Sequence, residues 1–239
     1  MPLYTQIEDF LLKRIQSGEM QEGDLIPTER QLADHFHVSR PTVRQALNNL
    51  VCQGYLTRTA GKGSYVTKPK ILQEYTRFIE SYQIEMTKKG RGIKTEVLEK
   101  QVLPADKFLA QKLELPEKEP LMYLSRLRYL LPSSDNRPIL LTNVYLPQRL
   151  CPGLLEVDFT AASLYDSLEK NGIHIQHAFR EIEIRLCTAE DSRLLQIPVG
   201  TPVFFIATVS RSAEGKLVEY SESIYPWDKN KFSIEISRP

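Results

Sequence analysis

The sequence predicts two domains: a mostly α-helical N-terminal one closed by a β-ribbon, and a larger α+β one built on an antiparallel sheet. Three observations carry that prediction. Two short helical patterns, each with its own capping residue, follow one another between residues 28 and 52, and a glycine-interrupted β-prone stretch follows them. After a break containing Lys68, Pro69 and Lys70, the texture changes to β-prone runs alternating with short helices. The length of 239 residues, with 41% apolar content, permits one large domain or two modest ones, each able to bury a core.

Taken in order, Leu3, Ile7, Phe10, Leu11 and Ile15 recur at helical spacing and Gly18 ends the run, which predicts a helix over 2–17. Gln21 to Asp24 is a turn. Thr28 with Gln31 three residues on forms a capping box, and Leu32, Ala33 and Phe36 supply a short apolar stripe. Ser39 caps the next helix, Pro41 sits in its first turn where a missing N–H costs nothing, and Val43, Ala46, Leu47 and Leu50 line one face. Gly54 stops it. The runs 55–59 and 63–67 then flank Ala60-Gly61-Lys62, a glycine-containing turn. Helix, tight turn, helix and ribbon make a winged helix-turn-helix over residues 1–67, with 68–76 expected as linker and 77–239 as the second domain.

In that second domain, 93–103 reads as a strand, and Pro104-Ala105-Asp106 opens a helix to Leu115. The runs 121–131 and 138–146 read as a hairpin. Ser163 to Asp166 and Thr188 to Asp191 are expected capping boxes, the first opening a helix that Gly172 closes. Further strands are expected over 180–186, 202–211, 217–225 and 232–237.

Composition excludes several classes. Net charge is only +1, so the chain is not a general nucleic-acid coat protein. No run approaches the ~20 apolar residues of a membrane span, and Met1 to Tyr4 carries no charged-then-apolar leader, so a soluble cytoplasmic protein is expected. Cys52, Cys151 and Cys187 are far apart and read as ordinary core residues in a reduced compartment. His35, His37, His174 and His177 lack partners at ligand spacing, so no metal and no cofactor is expected. No phosphate-cradling G-x-x-x-x-G-K and no G-x-S-x-G elbow occurs.

Charge is nevertheless unevenly placed. Between His35 and Gln73 there is no Asp or Glu, although the chain carries 30 acids, and Arg40, Arg44, Arg58, Lys62, Lys68 and Lys70 lie inside. An acid-free stretch on a helix-turn-helix points to a nucleic-acid partner. Arg40 and Arg44 share the exposed face of the second helix with the hydroxyls of Ser39 and Thr42, near the N-terminal end that meets base edges in such motifs. Arginine can contact guanine bidentately, and Lys62 at the ribbon tip can reach the minor groove or the backbone. The bland alternative is a solvated basic face that contacts protein.

In the second domain Arg126 and Arg128 leave the same face of a largely apolar strand. Two fixed cations in that setting need anionic partners, either a ligand or internal acids such as Glu181, Glu183 or Glu219. Ser163 is open in the same way: it caps its own helix, yet a helix N-terminus with Ser163 and Tyr165 beside it also suits a phosphate.

The run PTERQLADHFHVSRPTVRQALNNL followed by GYLTRTAGKGSYV resembles the N-terminal domain of GntR-type bacterial transcription regulators. That resemblance implies DNA contacts at Arg30, Ser39, Arg40, Thr42, Arg44, Gly61 and Lys62. The region from about Tyr75 onward is similar to the UTRA effector-binding domain of the HutC subfamily, related in fold to chorismate lyase without its catalysis. The local matches are Ser81-Tyr82-Gln83 through Gly90, Arg126-x-Arg128, Ser163-x-Tyr165-Asp166, and Glu219 with Tyr225, and they are nearest to repressors of amino-sugar use. The resemblance implies that Ser81, Tyr82, Gln83, Arg126, Arg128, Ser163 and Tyr165 hold an anionic group, while Glu219 and Tyr225 meet the polar body of the ligand. Thr142 stands where those repressors place a glutamate, which directs the expectation to a phosphorylated sugar or another small anionic metabolite. The expected protein is a homodimeric regulator of a palindromic operator, a repressor by its nearest resemblances. The competing expectation is an enzyme acting on such a metabolite with an attached DNA-binding module.

Overall fold

The computed structural model describes residues 2–59, 63–67, 70–73, 82–131, 136–150 and 152–234. It divides the chain into two compact units, Met1–Ile71 and Leu72–Pro239.

The first unit holds helices α1 (Leu3–Gln16), α2 (Glu29–Phe36) and α3 (Arg40–Cys52), then strands β1 (Leu56–Thr59) and β2 (Gly63–Val66). The Thr28 hydroxyl accepts from the Gln31 amide, and the Gln31 side chain accepts from the Thr28 amide at 2.8 Å, so both orphan donors at the start of α2 are satisfied. His37 closes α2 in the left-handed region, at φ 53°. Ser39 then caps α3 by accepting from the Thr42 amide. Ile7 and Leu11 of α1 pack with Leu32 of α2, the α3 stripe Val43, Ala46, Leu47 and Leu50, and Leu56 and Val66 of the ribbon. The antiparallel ladder runs from Leu56 opposite Val66 to Thr59 opposite Gly63. Gly63 has a positive φ of 105°, a backbone conformation that strains any side chain, so this ribbon position favours glycine.

The second unit is a six-stranded antiparallel sheet with helices on both faces. In chain order its elements are α4 (Tyr82–Lys88), β4 (Gly92–Pro104), α5 (Lys107–Leu113), β5 (Pro120–Leu131), β6 (Leu140–Pro147), α6 (Leu164–Lys170), β7 (Ile175–Leu186), α7 (Ala189–Leu195), β8 (Pro202–Ser212) and β9 (Leu217–Pro226). Across the sheet the order is β4-β5-β6-β9-β8-β7. On one face Met122, Leu124, Val144 and Leu146 pack with Phe159 and with Leu164 and Leu168 of α6. The opposite face carries two clusters, one under α5 around Leu121 and Tyr220, the other under α7 around Leu127, Leu141 and Phe205.

Four expectations are corrected. The expected linker 68–76 contains a short strand, β3 (Ile71–Gln73), paired with β10 (Asn230–Phe232), and the division between units falls inside it. The last strand ends its described course at Phe232 rather than spanning 232–237. The strand expected from Arg180 begins at Ile175, because backbone pairing with β8 holds its polar first half across a register shift between Ile175 and His177. Ser163 caps α6 in one direction only, with its hydroxyl accepting from the Asp166 amide at 3.2 Å, whereas Thr188 and Asp191 form a full reciprocal box.

Candidate functional site

On the first unit, the N-terminal end of α3 gathers the hydroxyls and arginines expected to meet DNA. Ser39 and Thr42 lie 2.9 Å apart, oxygen to oxygen, and Arg40 is exposed beside them. Arg30 is exposed on α2, with Asp34 at 3.9 Å. Arg44 is exposed too, but Glu29 at the start of α2 grips it side-on: Nε donates to Oε1 at 3.3 Å and Nη2 to Oε2 at 2.9 Å. Arg58 of β1 reaches the same carboxylate at 3.5 Å and donates to the Asn48 side chain of α3 at 2.7 Å. The Arg44 hydrogen bond, followed by the charges of Arg44, Arg58 and Arg40, holds the Glu29 carboxyl below the usual carboxylate range. Sequence reading missed Glu29, since it lies upstream of the acid-free stretch and enters the cluster only through folding. Gly61 and Lys62 lie outside the described residues.

In the second unit, register builds a polar floor on the sheet face that α6 covers. Arg126 lies opposite Thr142, which lies opposite Ser223. One step along, Ser221 faces Thr208, and one further, Glu219 faces Ser210. Arg126 and Arg128 are only 5% and 8% exposed. Arg128 Nη1 donates to the Thr142 hydroxyl at 2.8 Å, and its guanidinium lies 5.3 Å from the centre of the Tyr82 ring. Arg126 lies 5.8 Å from the Phe159 ring, and its buried Nε has no hydrogen-bond partner among the described residues. Nor does any described carboxylate form an ion pair with either arginine: of the three internal acids considered above, Glu181 and Glu183 are exposed, and buried Glu219 acts on Arg126 through its charge without an ion-pair contact. Burial, and for Arg126 also the neighbouring Arg128 charge, lowers both from the ordinary arginine range, Arg128 to about 10.

Glu219, 2% exposed, shares this floor. Burial pushes its carboxyl up, against hydrogen bonds from Ser221 and Tyr165 and the charges of Arg180 and Arg126. Tyr165 is raised by burial and then by Glu219. Tyr225 is buried with its ring edge-on to Phe232 at 5.2 Å. Thus Arg126, Arg128, Thr142, Tyr82, Tyr165 and Glu219 form one group. Ser163 instead lines a cleft of about 460 Å³ between α4 and α6, together with Thr87, Lys88, Asp166 and Lys170, and neither buried arginine lines it. Ser81 and the Gln83 side chain lie outside the described residues.

Behind Tyr82 stands an unforeseen pair. Gln73 Nε2 donates to the Tyr82 hydroxyl at 3.2 Å and to Asn230 Oδ1 at 2.9 Å. The Asn230 amide is oriented by donating to the Ile139 and Pro226 carbonyls, which fixes Gln73 in turn. The Ser and Thr residues of the floor were legible as the period-two pattern Thr208, Ser210 and Ser221, Ser223; Gln73 and Asn230 carried no such signal.

Among the described residues no group of three or more His, Cys, Asp or Glu could hold a metal ion, and no helix is long and apolar enough to cross a membrane. Two family models match: "Bacterial regulatory proteins, gntR family" over residues 3–66 and "UTRA domain" over 88–231. The chain is 31% identical to the HTH-type transcriptional repressor NagR of Bacillus subtilis, covering 97% of this chain and 93% of that one. It is also 31% identical to MngR of Escherichia coli, a mannosyl-D-glycerate transport/metabolism system repressor, covering 99% and 97%. The crystal structure of PhnF from Mycobacterium smegmatis superposes with a TM-score of 0.81 at 30% identity, over 95% of this chain and 98% of that one. These relatives are repressors and not enzymes, which sets aside the catalytic alternative. The chain therefore belongs to the gntR family of bacterial regulatory proteins: it is a DNA-binding transcription regulator whose second domain is a UTRA domain.

Proposed function

We propose that the protein is a cytoplasmic homodimeric repressor that leaves a palindromic operator when a small anionic metabolite, a sugar phosphate by class, occupies the second domain. The observation that carries the effector assignment is the pair Arg126 and Arg128, deeply buried, with no carboxylate among the described residues in ion-pair contact with either. Isolated buried charges cost several kcal/mol or more, so a site that keeps two of them is built for a countercharge from outside. Glu219, with hydroxyls from Thr142, Ser221 and Ser223, offers acceptors and donors for a polyhydroxylated body. In this reading Tyr82 and Tyr165 wall the anion and Ser163 guards the cleft. The name of MngR, for a system that handles a sugar-acid conjugate, agrees with a small anionic ligand.

A dimer is supported by β7. It is an edge strand of the sheet, and Phe179, Ile184 and Leu186 on it are 58%, 73% and 69% exposed. An edge strand of this length that leaves large apolar side chains open among its charged ones is a ready surface for a second copy to cover. Two heads on a two-fold axis then read two half-sites through Ser39, Arg40, Thr42 and Arg44, with Arg30 and the ribbon residues Gly61 and Lys62 on flanking positions. The ligand acts by favouring the dimer arrangement whose heads no longer match the half-site spacing.

Calorimetry with a panel of sugar phosphates on the intact protein tests the assignment. Binding that falls at least about tenfold in Arg126→Met and Arg128→Met is expected from losing charge-assisted hydrogen bonds. Binding unchanged in both variants, or no binder in the panel, defeats it.

A further inference from the structure

The unexplained feature of the DNA-binding head is an acid at its centre. Near a polyanion a carboxylate is repulsive, yet Glu29 sits among Arg44, Arg58 and Arg40. The geometry explains what it does. A guanidinium carries five N–H donors in a rigid fork. Glu29 takes the side-on edge of Arg44, made of Nε and one hydrogen of Nη2. Among the described residues the end-on edge, Nη1 with the second hydrogen of Nη2, has no partner, and the Arg44 side chain is 59% exposed. That edge still offers two parallel N–H donors, which can pair bidentately with guanine O6 and N7. Glu29 is itself kept in place: it stands in the first turn of α2, whose start is fixed by the Thr28–Gln31 box, and Arg58, anchored to Asn48, braces its Oε1 from the other side. An unclamped arginine would lose rotamer freedom on meeting a base; here most of that ordering is done before DNA arrives.

We propose that Glu29 is a positioning residue for sequence readout: it holds Arg44 side-on so that the free edge of the guanidinium is aimed at a guanine. This rests on the DNA-contact assignment of Arg44 made above. It predicts opposite signs for two kinds of DNA. Replacing Glu29 by Gln removes a negative charge, so affinity for random-sequence duplex rises slightly. The same change frees Arg44, so affinity for the specific duplex falls by about tenfold.

The experiment uses the full-length chain and, as specific probe, the duplex that the wild-type protein enriches from a randomised pool, with unselected pool DNA as the non-specific probe at the same salt. If the wild-type protein enriches nothing, the DNA-readout assignment itself fails, a result separate from this one. If Glu29→Gln binds both duplexes as tightly as wild type or tighter, Glu29 is merely a surface charge and the proposal is overturned. A double-mutant cycle with Arg44→Lys covers the case in which both affinities fall. Lysine keeps the charge but cannot use two edges at once. Glu29→Gln should therefore cost nothing further in the Arg44→Lys background. An undiminished loss there means that Glu29 acts without Arg44, and also overturns the proposal.

Discussion

Arg128→Met isolates the central physical claim about the second domain, that its arginines wait for an anion. Burial lowers Arg128 from the ordinary arginine range to about 10. At about 1.4 kcal/mol per unit, the charged form weakens the fold by roughly 3 kcal/mol at neutral pH. Methionine keeps the length and removes the charge. It also removes the hydrogen bond to Thr142, worth about 1 kcal/mol, and the contact with the Tyr82 ring, about 1 kcal/mol. The balance is a gain of about 1 kcal/mol, a rise in Tm on the order of 2–4 °C for a domain of this size. Sign follows from proton linkage: between about pH 10 and the ordinary arginine range the unfolded chain binds more protons than the folded one, so the wild-type penalty, full below that window, fades as pH rises through it. With a sugar phosphate present the order inverts, because only the wild-type site meets its countercharge and gains from the ligand. Thermal unfolding of both proteins with and without that ligand reads all four values. A ligand-free Arg128→Met protein melting more than about 5 °C below wild type would mean that Arg128 already has a stabilising partner, and the argument from uncompensated charge would be wrong.

Arg40→Ala and Arg44→Ala should each abolish operator retention in a mobility-shift assay with circular dichroism unchanged, since both side chains are exposed. Retention by either variant at wild-type strength counts against the recognition face. Lys62→Ala should weaken binding evenly across sequences and lower the salt slope by about one, as loss of a single phosphate contact does. Ile184→Asp puts a charge on the open edge strand and should shift sedimentation from dimer to monomer without loss of structure; a dimer that persists removes β7 from the interface. Gln73→Leu removes the donor to Tyr82 and leaves Asn230 Oδ1 buried and unpaired, a destabilisation of about 1–3 kcal/mol in urea unfolding, and an unchanged midpoint would show that water replaces the amide.

What could be read from the sequence was what is decided locally. Thr28 with Gln31, Ser39 with Pro41, and the stripe Val43, Ala46, Leu47, Leu50 lie within a few residues of one another, so the helix-turn-helix was visible before any folding. Arg126 and Arg128 were readable as one face of one strand because side chains alternate strictly along it. What escaped was decided at a distance. Gln73 and Asn230 are 157 residues apart in strands of three residues, too short for any periodicity. The side-on grip on Arg44 spans 15 residues and two helices. The first half of β7, rich in polar residues, is held by its neighbour's backbone rather than by its own pattern.

The hydrogen bond between Gln73 and Asn230 also sets an order of events on the ribosome. The strand 71–73 finds its partner only at residues 230–232, so this seam of the second domain cannot close until those residues have been made. The head, whose core draws only on residues up to Val66, can fold long before. A chain caught between these two stages would thus carry a finished DNA-binding head on a second domain still unfastened.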